Sequence, residues 1–298
     1  MTTVHAASSD RPVVTGEVLP RGRSTSLVDL ANRAEWIRLE TIRLIDQAGF
    51  GHYSSTFSAA EIFSVLYYHT LRLKPSDPQW EDRDRFLLGK GHIAVGLWPI
   101  FADLGFFPTE WLDTYGSIDS PITDHPNMVT APGIDFSSGS LGHNLSVAVG
   151  IALAGRVHEK DYRTFVVTGD GELQEGQVWE AAMAGGHYGL SNLVAIVDAN
   201  GFSGGGATSK TMNIEPLADR FASFGWRVEE INGSDVATLV ETFDRIPADG
   251  TQPTCVIART HKGAGVTLME EAPQAWHMGW LKGEDRAQAE REINARIR

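Results

Sequence analysis

The sequence holds one cysteine, Cys255, among 298 residues. A lone thiol excludes an intramolecular disulfide and fits a reducing compartment, so a cytoplasmic setting is expected. Long apolar runs are also missing. None could span a bilayer as a helix, and the first residues lack the apolar stretch of a secretory signal. No membrane partner is expected. Positive charge is scarce: 25 Lys and Arg face 38 Asp and Glu, a formal net charge of -13. That balance argues against nucleic acid or any other extended polyanion as a partner. A phosphate-bearing ligand would need a local site of backbone amides, a metal or a few basic side chains. No G-x-G-x-x-G lies between an early strand and a helix, which sets aside a nicotinamide-dependent oxidoreductase. The histidines show neither the i, i+4 nor the cysteine-paired spacing of a zinc site.

What is present describes a globular domain. Hydrophobic residues make up 42% and charged residues 21%, enough for a sizeable core. Residues 1–25 mix Ser, Thr, Pro, Gly and Arg without periodicity and read as a flexible arm, either a tail or a partner contact. Residues 26–298 read as one domain. A helix is expected from near Ser26 to Gly49, and SAAEIFSVLYYHTL reads as a second, buried one. Residues 113–140 read as a long irregular loop of the kind that often carries function. Apolar segments RTFVVTG, NLVAIVDA, WRVEEIN and PTCVIAR then alternate with helical ones. The pattern predicts an α/β three-layer sandwich with a mostly parallel sheet covered on both faces. Ligands of such sheets bind at the carboxyl ends of the strands. Polar and Gly-rich residues lie at those ends: GDG after VVT, DANGF after VAIV, THKGAG after VIA.

Gly169-Asp170-Gly171 on its own reads equally as a tight turn with a capping Asp. Asn200, about thirty residues on at the end of the next apolar strand, adds a second oxygen ligand. Should those two strands be neighbours, a carboxylate and an amide oxygen meet in one crevice. Both are hard ligands suited to Mg²⁺ or Ca²⁺. The glycines would let backbone amides approach phosphates closely.

The stretch GDGELQEGQVWEAAMAGGHYGLSNLVAIVDANGF resembles the thiamine diphosphate motif, and its ELxEGxxWEA form resembles transketolases in particular. The resemblance runs from about residue 30 to 285. It implies the thiamine diphosphate-binding fold, with thiamine diphosphate and Mg²⁺ as cofactors and Ca²⁺ or Mn²⁺ able to substitute. It also implies that Asp170, Asn200 and the Phe202 carbonyl hold the metal. Gly169, Gly171, Glu172, Lys90, His92, Lys262 and His277 would serve the cofactor. Gly139 and Leu141, in SSGSLGHNLS, would lie against the aminopyrimidine. His52 in AGFGHYSST, His92 in LLGKGH, His125 in DHPN and His277 in WHMG would act on the substrate. Neutral imidazoles suit that task because ketose cleavage requires a hydroxyl proton to leave. The other histidines, His143 apart, read as ordinary surface or core residues.

Transketolases carry two further domains, one of which supplies a glutamate that activates the cofactor. No segment here matches them. The resemblance therefore implies the N-terminal subunit of a split transketolase, a transferase of ketol units from a ketose to an aldehyde. Its expected partner is a C-terminal subunit with the pyrimidine-binding and C-terminal domains, in an α₂β₂ assembly. Departures include Tyr53 for the usual Pro and His143-Asn144 for Gln-Gly. Alternatives are a deoxyxylulose-phosphate-synthase-like or E1-like subunit, and a non-catalytic cofactor-binding scaffold.

Overall fold

The computed structural model of this chain describes residues 17–247 and 250–298. Its strands are β1 (Arg85–Leu88), β2 (Thr164–Gly169), β3 (Leu193–Ala199), β4 (Phe202–Ser203), β5 (Gly206–Ala207), β6 (Arg227–Asn232) and β7 (Thr254–Arg259). Five of them form one parallel sheet in the order β1-β2-β3-β7-β6, and β4 pairs with β5 as a small antiparallel hairpin. The chain steps outward from β1 to β3, places β6 at the far edge, then returns to fill the gap with β7. The winding reverses there. A crevice opens at such a reversal, outside the carboxyl ends of the strands.

Side chains alternate across the sheet with period two. Phe165 and Val167, Val194 and Ile196, and Val256 and Ala258 enter one core. Val166, Ala195, Val197, Cys255 and Ile257 enter the core on the opposite face. The helices Leu27–Ala48 and Ala60–Val65 cover the first face; His143–Val157 and Gly176–His187 cover the second. Because both faces are covered, β2 and β3 are buried at every position.

The first helix starts and stops as its sequence dictates. Ser26 caps the Asp29 amide, and Gly49 at φ 80° ends it in the left-handed region. The stretch expected as one second helix is broken: an α-helix over Ala60–Val65 widens into a π-helical turn over Leu66–Thr70. The expected arm needs a similar correction. Residues 1–16 lie outside the described residues, but 17–25 are fastened to the domain. Leu19 bridges Leu73, and Arg21 chelates the buried Asp84 with contacts of 2.5 and 2.9 Å. Arg23 donates to the carbonyls of Tyr67, Tyr68 and Leu71, and Thr25 donates to that of Tyr68. These donors satisfy carbonyls that the end of the buried helical segment leaves open. Composition alone cannot reveal such a lock.

Candidate functional site

The metal-type oxygens come first. β2 and β3 are adjacent and in register, with Gly169 opposite Asp198. Their ends are joined by a hydrogen bond of 2.6 Å from the Gly201 amide to Asp170 Oδ2. Asp170 and Asn200 therefore stand on touching turns, both largely buried. The Gly171 amide donates to Asp170 Oδ1, and the Phe202 amide donates to Asn200 Oδ1. Gly171 has no room for a side chain: a Cβ there would come within 2.9 Å of Ser203 and 3.5 Å of the Phe202 carbonyl oxygen. A cavity of about 400 Å³ opens beside these turns, lined in part by Asn200, Phe202 and Lys262. Among the described residues no three His, Cys, Asp or Glu side chains gather to hold a metal unaided. A cation here would need the amide and carbonyl oxygens, completed by oxygens of a ligand, and that hard donor set fits Mg²⁺.

The charges fit the same occupant. Burial, then the nearby Asp198, pushes the Asp170 carboxyl up to about 6. Burial, then Lys90, brings Lys262 down to about 8. Acids crowd acids and ammonium groups crowd each other. A cation carrying a diphosphate would relieve both repulsions at once.

Lys90, expected beside the diphosphate, packs against Gly169 of the GDG turn. Its ammonium is paired with Asp198 Oδ2 and donates to the Ser55 carbonyl at 3.1 Å. Asp198 is fully buried and accepts also from Ser58 Oγ at 2.6 Å and from Thr260 Oγ1. Asn200 Nδ2 donates to Ser58 Oγ at 3.1 Å. One carboxylate thus joins the loop after β1, the turn before the second helix, the end of β3 and the end of β7. Sequence reasoning passed over Asp198. Its signal was an acid near the end of an otherwise apolar strand, which demands a buried partner.

Glu172, expected at the cofactor, is 2% exposed and accepts from the Gly142 amide at 2.9 Å and the Gly169 amide at 3.1 Å. Burial pushes it up to about 7 against those two hydrogen bonds. It braces the loop holding Gly139 and Leu141 against the GDG turn. Gly91 closes the same seam: a Cβ there would meet Ser138 Oγ at 2.9 Å, the Gly139 nitrogen at 3.1 Å and the His125 ring at 3.1 Å. Gly139 is exposed and Leu141 half-buried on the lip of the site.

Four loops bring four imidazoles together. Ring centroids of His52 stand 4.8 Å from His92, 5.4 Å from His277 and 6.4 Å from His125, and His92 lies 5.5 Å from His277. Burial, then Lys90 and the other rings, holds His92 well below the usual imidazole range. Burial, then Lys262, lowers His277 to about 4. Both are neutral at pH 7. Nε2 of His92 is buried without a hydrogen-bond partner among the described residues, while His277 Nδ1 pairs with Ser55 Oγ at 3.2 Å. Asp124, also missed from sequence, sits at the edge of the cluster. Its Oδ2 is 3.1 Å from His125 Nδ1 and its Oδ1 3.5 Å from His52 Nδ1. Burial would raise this carboxyl, but His125 and His52 outweigh it and hold it well below the usual range. A recess of about 380 Å³ adjoins His52 and Asp124, and among the described residues no Lys or Arg lines it. The arrangement offers neutral bases and a carboxylate on one side, a cation and anion cradle on the other.

A doubly wound sheet with this rim is a binding domain for an anionic cofactor. The chain belongs to the transketolase family: residues 30–294 match the model described as "Transketolase, thiamine diphosphate binding domain". It is 38% identical over 265 residues to one subunit of the apulose-4-phosphate transketolase of Phocaeicola vulgatus, covering 89% of this chain and 94% of that one. It is 35% identical over 247 residues to the 6-deoxy-6-sulfo-D-fructose transketolase subunit SqwG of Clostridium sp., covering 83% and 90%. The crystal structure of transketolase from Campylobacter jejuni superposes with a TM-score of 0.84 at 28% identity, covering 91% of this chain and 43% of that chain. The chain therefore spans less than half the length of that structural relative.

Proposed function

We propose that this chain is the thiamine diphosphate-binding subunit of a two-subunit transketolase, passing a two-carbon ketol unit from a ketose to an aldehyde. The observation that carries the reading is the contact of the Asp170 and Asn200 turns beneath four convergent imidazoles. Asp170, Asn200 and the Phe202 carbonyl would hold Mg²⁺, and Lys262 would face the diphosphate. When bound, thiamine diphosphate supplies the nucleophilic carbon and the electron sink that ketol transfer needs. The chain's own part is to bind, orient and move protons. His92 and His277, neutral at pH 7, accept or donate near the donor hydroxyls; His52 and His125 approach from the other side.

The partner is a C-terminal subunit carrying the pyrimidine-binding and C-terminal domains, in an α₂β₂ complex in the cytoplasm. Both relatives are named as transketolase subunits, which supports a divided enzyme. Those names also specify a phosphorylated and a sulfonated ketose. Among the described residues no cationic side chain lines the recess beside His52.

The test is calorimetry on the reconstituted complex. Thiamine diphosphate should bind only with Mg²⁺, and Asp170→Ala should remove that binding. Tight Mg²⁺-dependent binding by the variant would overturn the metal assignment. Turnover by this chain alone would overturn the divided enzyme, and turnover of pyruvate in place of hydroxyketoses would favour an E1-like or deoxyxylulose-phosphate-synthase-like subunit.

A further inference from the structure

We propose that Asp124 is a positioning residue that sets the tautomer of both His52 and His125, so that each presents an unprotonated Nε2 to a donor hydroxyl, His52 to the one at C3. The inference rests on the ketol-transfer reading above and deepens it.

The geometry is a fork. One carboxylate offers one oxygen to each ring, and both rings turn Nδ1 toward it: Oδ2 to His125 at 3.1 Å, Oδ1 to His52 at 3.5 Å. A carboxylate beside Nδ1 fixes the proton there and leaves Nε2 as the acceptor. Neither contact has hydrogen-bond alignment as it stands, and His52 Nδ1 is buried with no hydrogen-bond partner among the described residues. A short closure of the loop would complete both, as such bonds tighten when substrate binds. Tyr115 Oη is 3.5 Å from the same Oδ1 and supports the fork from behind. His125 is held on its far edge by Gly91, whose notional Cβ would stand 3.1 Å from Cδ2. The other titratable groups facing His52 are the rings of His92 and His277; neither offers it a carboxylate.

The chemistry asks for such a base. Cleaving a ketose breaks the C2–C3 bond; its electron pair stays with the two-carbon unit. The C3 hydroxyl loses its proton to a base and the remainder departs as an aldehyde. A donor that instead loses CO₂ has no hydroxyl proton to surrender at that step. The role of Asp124 should therefore be visible in one class of donor and muted in the other.

The full chain, reconstituted with its partner, thiamine diphosphate and Mg²⁺, is assayed on two small ketol donors. L-Erythrulose releases glycolaldehyde and needs the base; hydroxypyruvate releases CO₂ and does not. In Asp124→Asn one of the two acceptor oxygens becomes a donor, and in Asp124→Ala both are lost. The kcat ratio of erythrulose to hydroxypyruvate should fall about tenfold in the first variant and up to about a hundredfold in the second. In ¹⁵N spectra of the full chain, the Nδ1–H form of both rings should give way to Nε2–H in Asp124→Ala. An unchanged ratio, or unchanged tautomers, overturns the proposal while ketol transfer stands. A wild-type complex that turns over pyruvate but neither ketol donor defeats the ketol-transfer reading, and this role with it.

Discussion

Replacing Asp198 by Ala should be among the costliest single changes in the cofactor-free chain. The carboxylate is 0% exposed, and its removal leaves the Lys90 ammonium, whose side chain is 5% exposed, without a counter-ion. It also strips acceptors from Ser58 Oγ and Thr260 Oγ1. Breaking one side of a buried ion pair costs about 3–5 kcal/mol, because the surviving charge stays desolvated. The lost hydrogen bonds push the sum to the upper end. For a domain of this size that is a drop of roughly 10 °C or more in the unfolding midpoint. Urea unfolding of wild type, Asp198→Ala, Lys90→Met and the double variant gives the coupling directly. The double variant should be more stable than Asp198→Ala alone, since no charge is then stranded. A loss below about 1 kcal/mol in Asp198→Ala, or strictly additive effects in the double variant, would refute a buried pair as the joint of the four loops.

Affinity for the Mg²⁺–thiamine diphosphate pair should fall about tenfold per pH unit below pH 6, because Asp170, pushed up to about 6, must lose its proton to ligate. Calorimetry across pH 5–8 checks this, and a flat profile would remove Asp170 from the metal. Stability of the empty chain should run the opposite way. Glu172 at about 7 and Asp170 at about 6 both lie above unfolded carboxyls near 4. Their contribution is full below about pH 4 and is lost as pH rises through 6 and 7; a denaturation series over this range should show them opposing any gain in stability with pH. Gly171→Ala should weaken cofactor binding more than it destabilises the fold, since its Cβ strikes the Ser203 turn that carries the Phe202 carbonyl. Circular dichroism and calorimetry on the same sample separate the two.

The sheet was legible because its strands are apolar throughout and separated by capped helices; Ser26 and Gly49 mark the ends of the first helix as the capping rules require. The four histidines were legible only through the turns that carry them. Their centroid spacings depend on loops 40 to 225 residues apart in sequence, which no local pattern encodes. The buried partner of Lys90 was not legible, because Asp198 lies inside an otherwise apolar strand. The bracing role of Glu172 was not legible either: Gly169 and Gly142 have amides that need an acceptor, and nothing in sequence says which carboxylate meets them. The grip on residues 17–25 escaped notice because it depends on where a distant helical segment ends.

That grip reaches further than its position suggests. Arg23 and Thr25 close the carbonyl end of the buried rod that begins with Ser54 to Ser58, the stretch that touches Lys90, Asp198 and His277. Prying the strap loose would leave Tyr67, Tyr68 and Leu71 with bare oxygens in an oily setting and loosen that end of the segment. The histidine nest is at the other end of that rod, so a fusion or cleavage at residues 19–25 would register there as loosened geometry without touching a single active group.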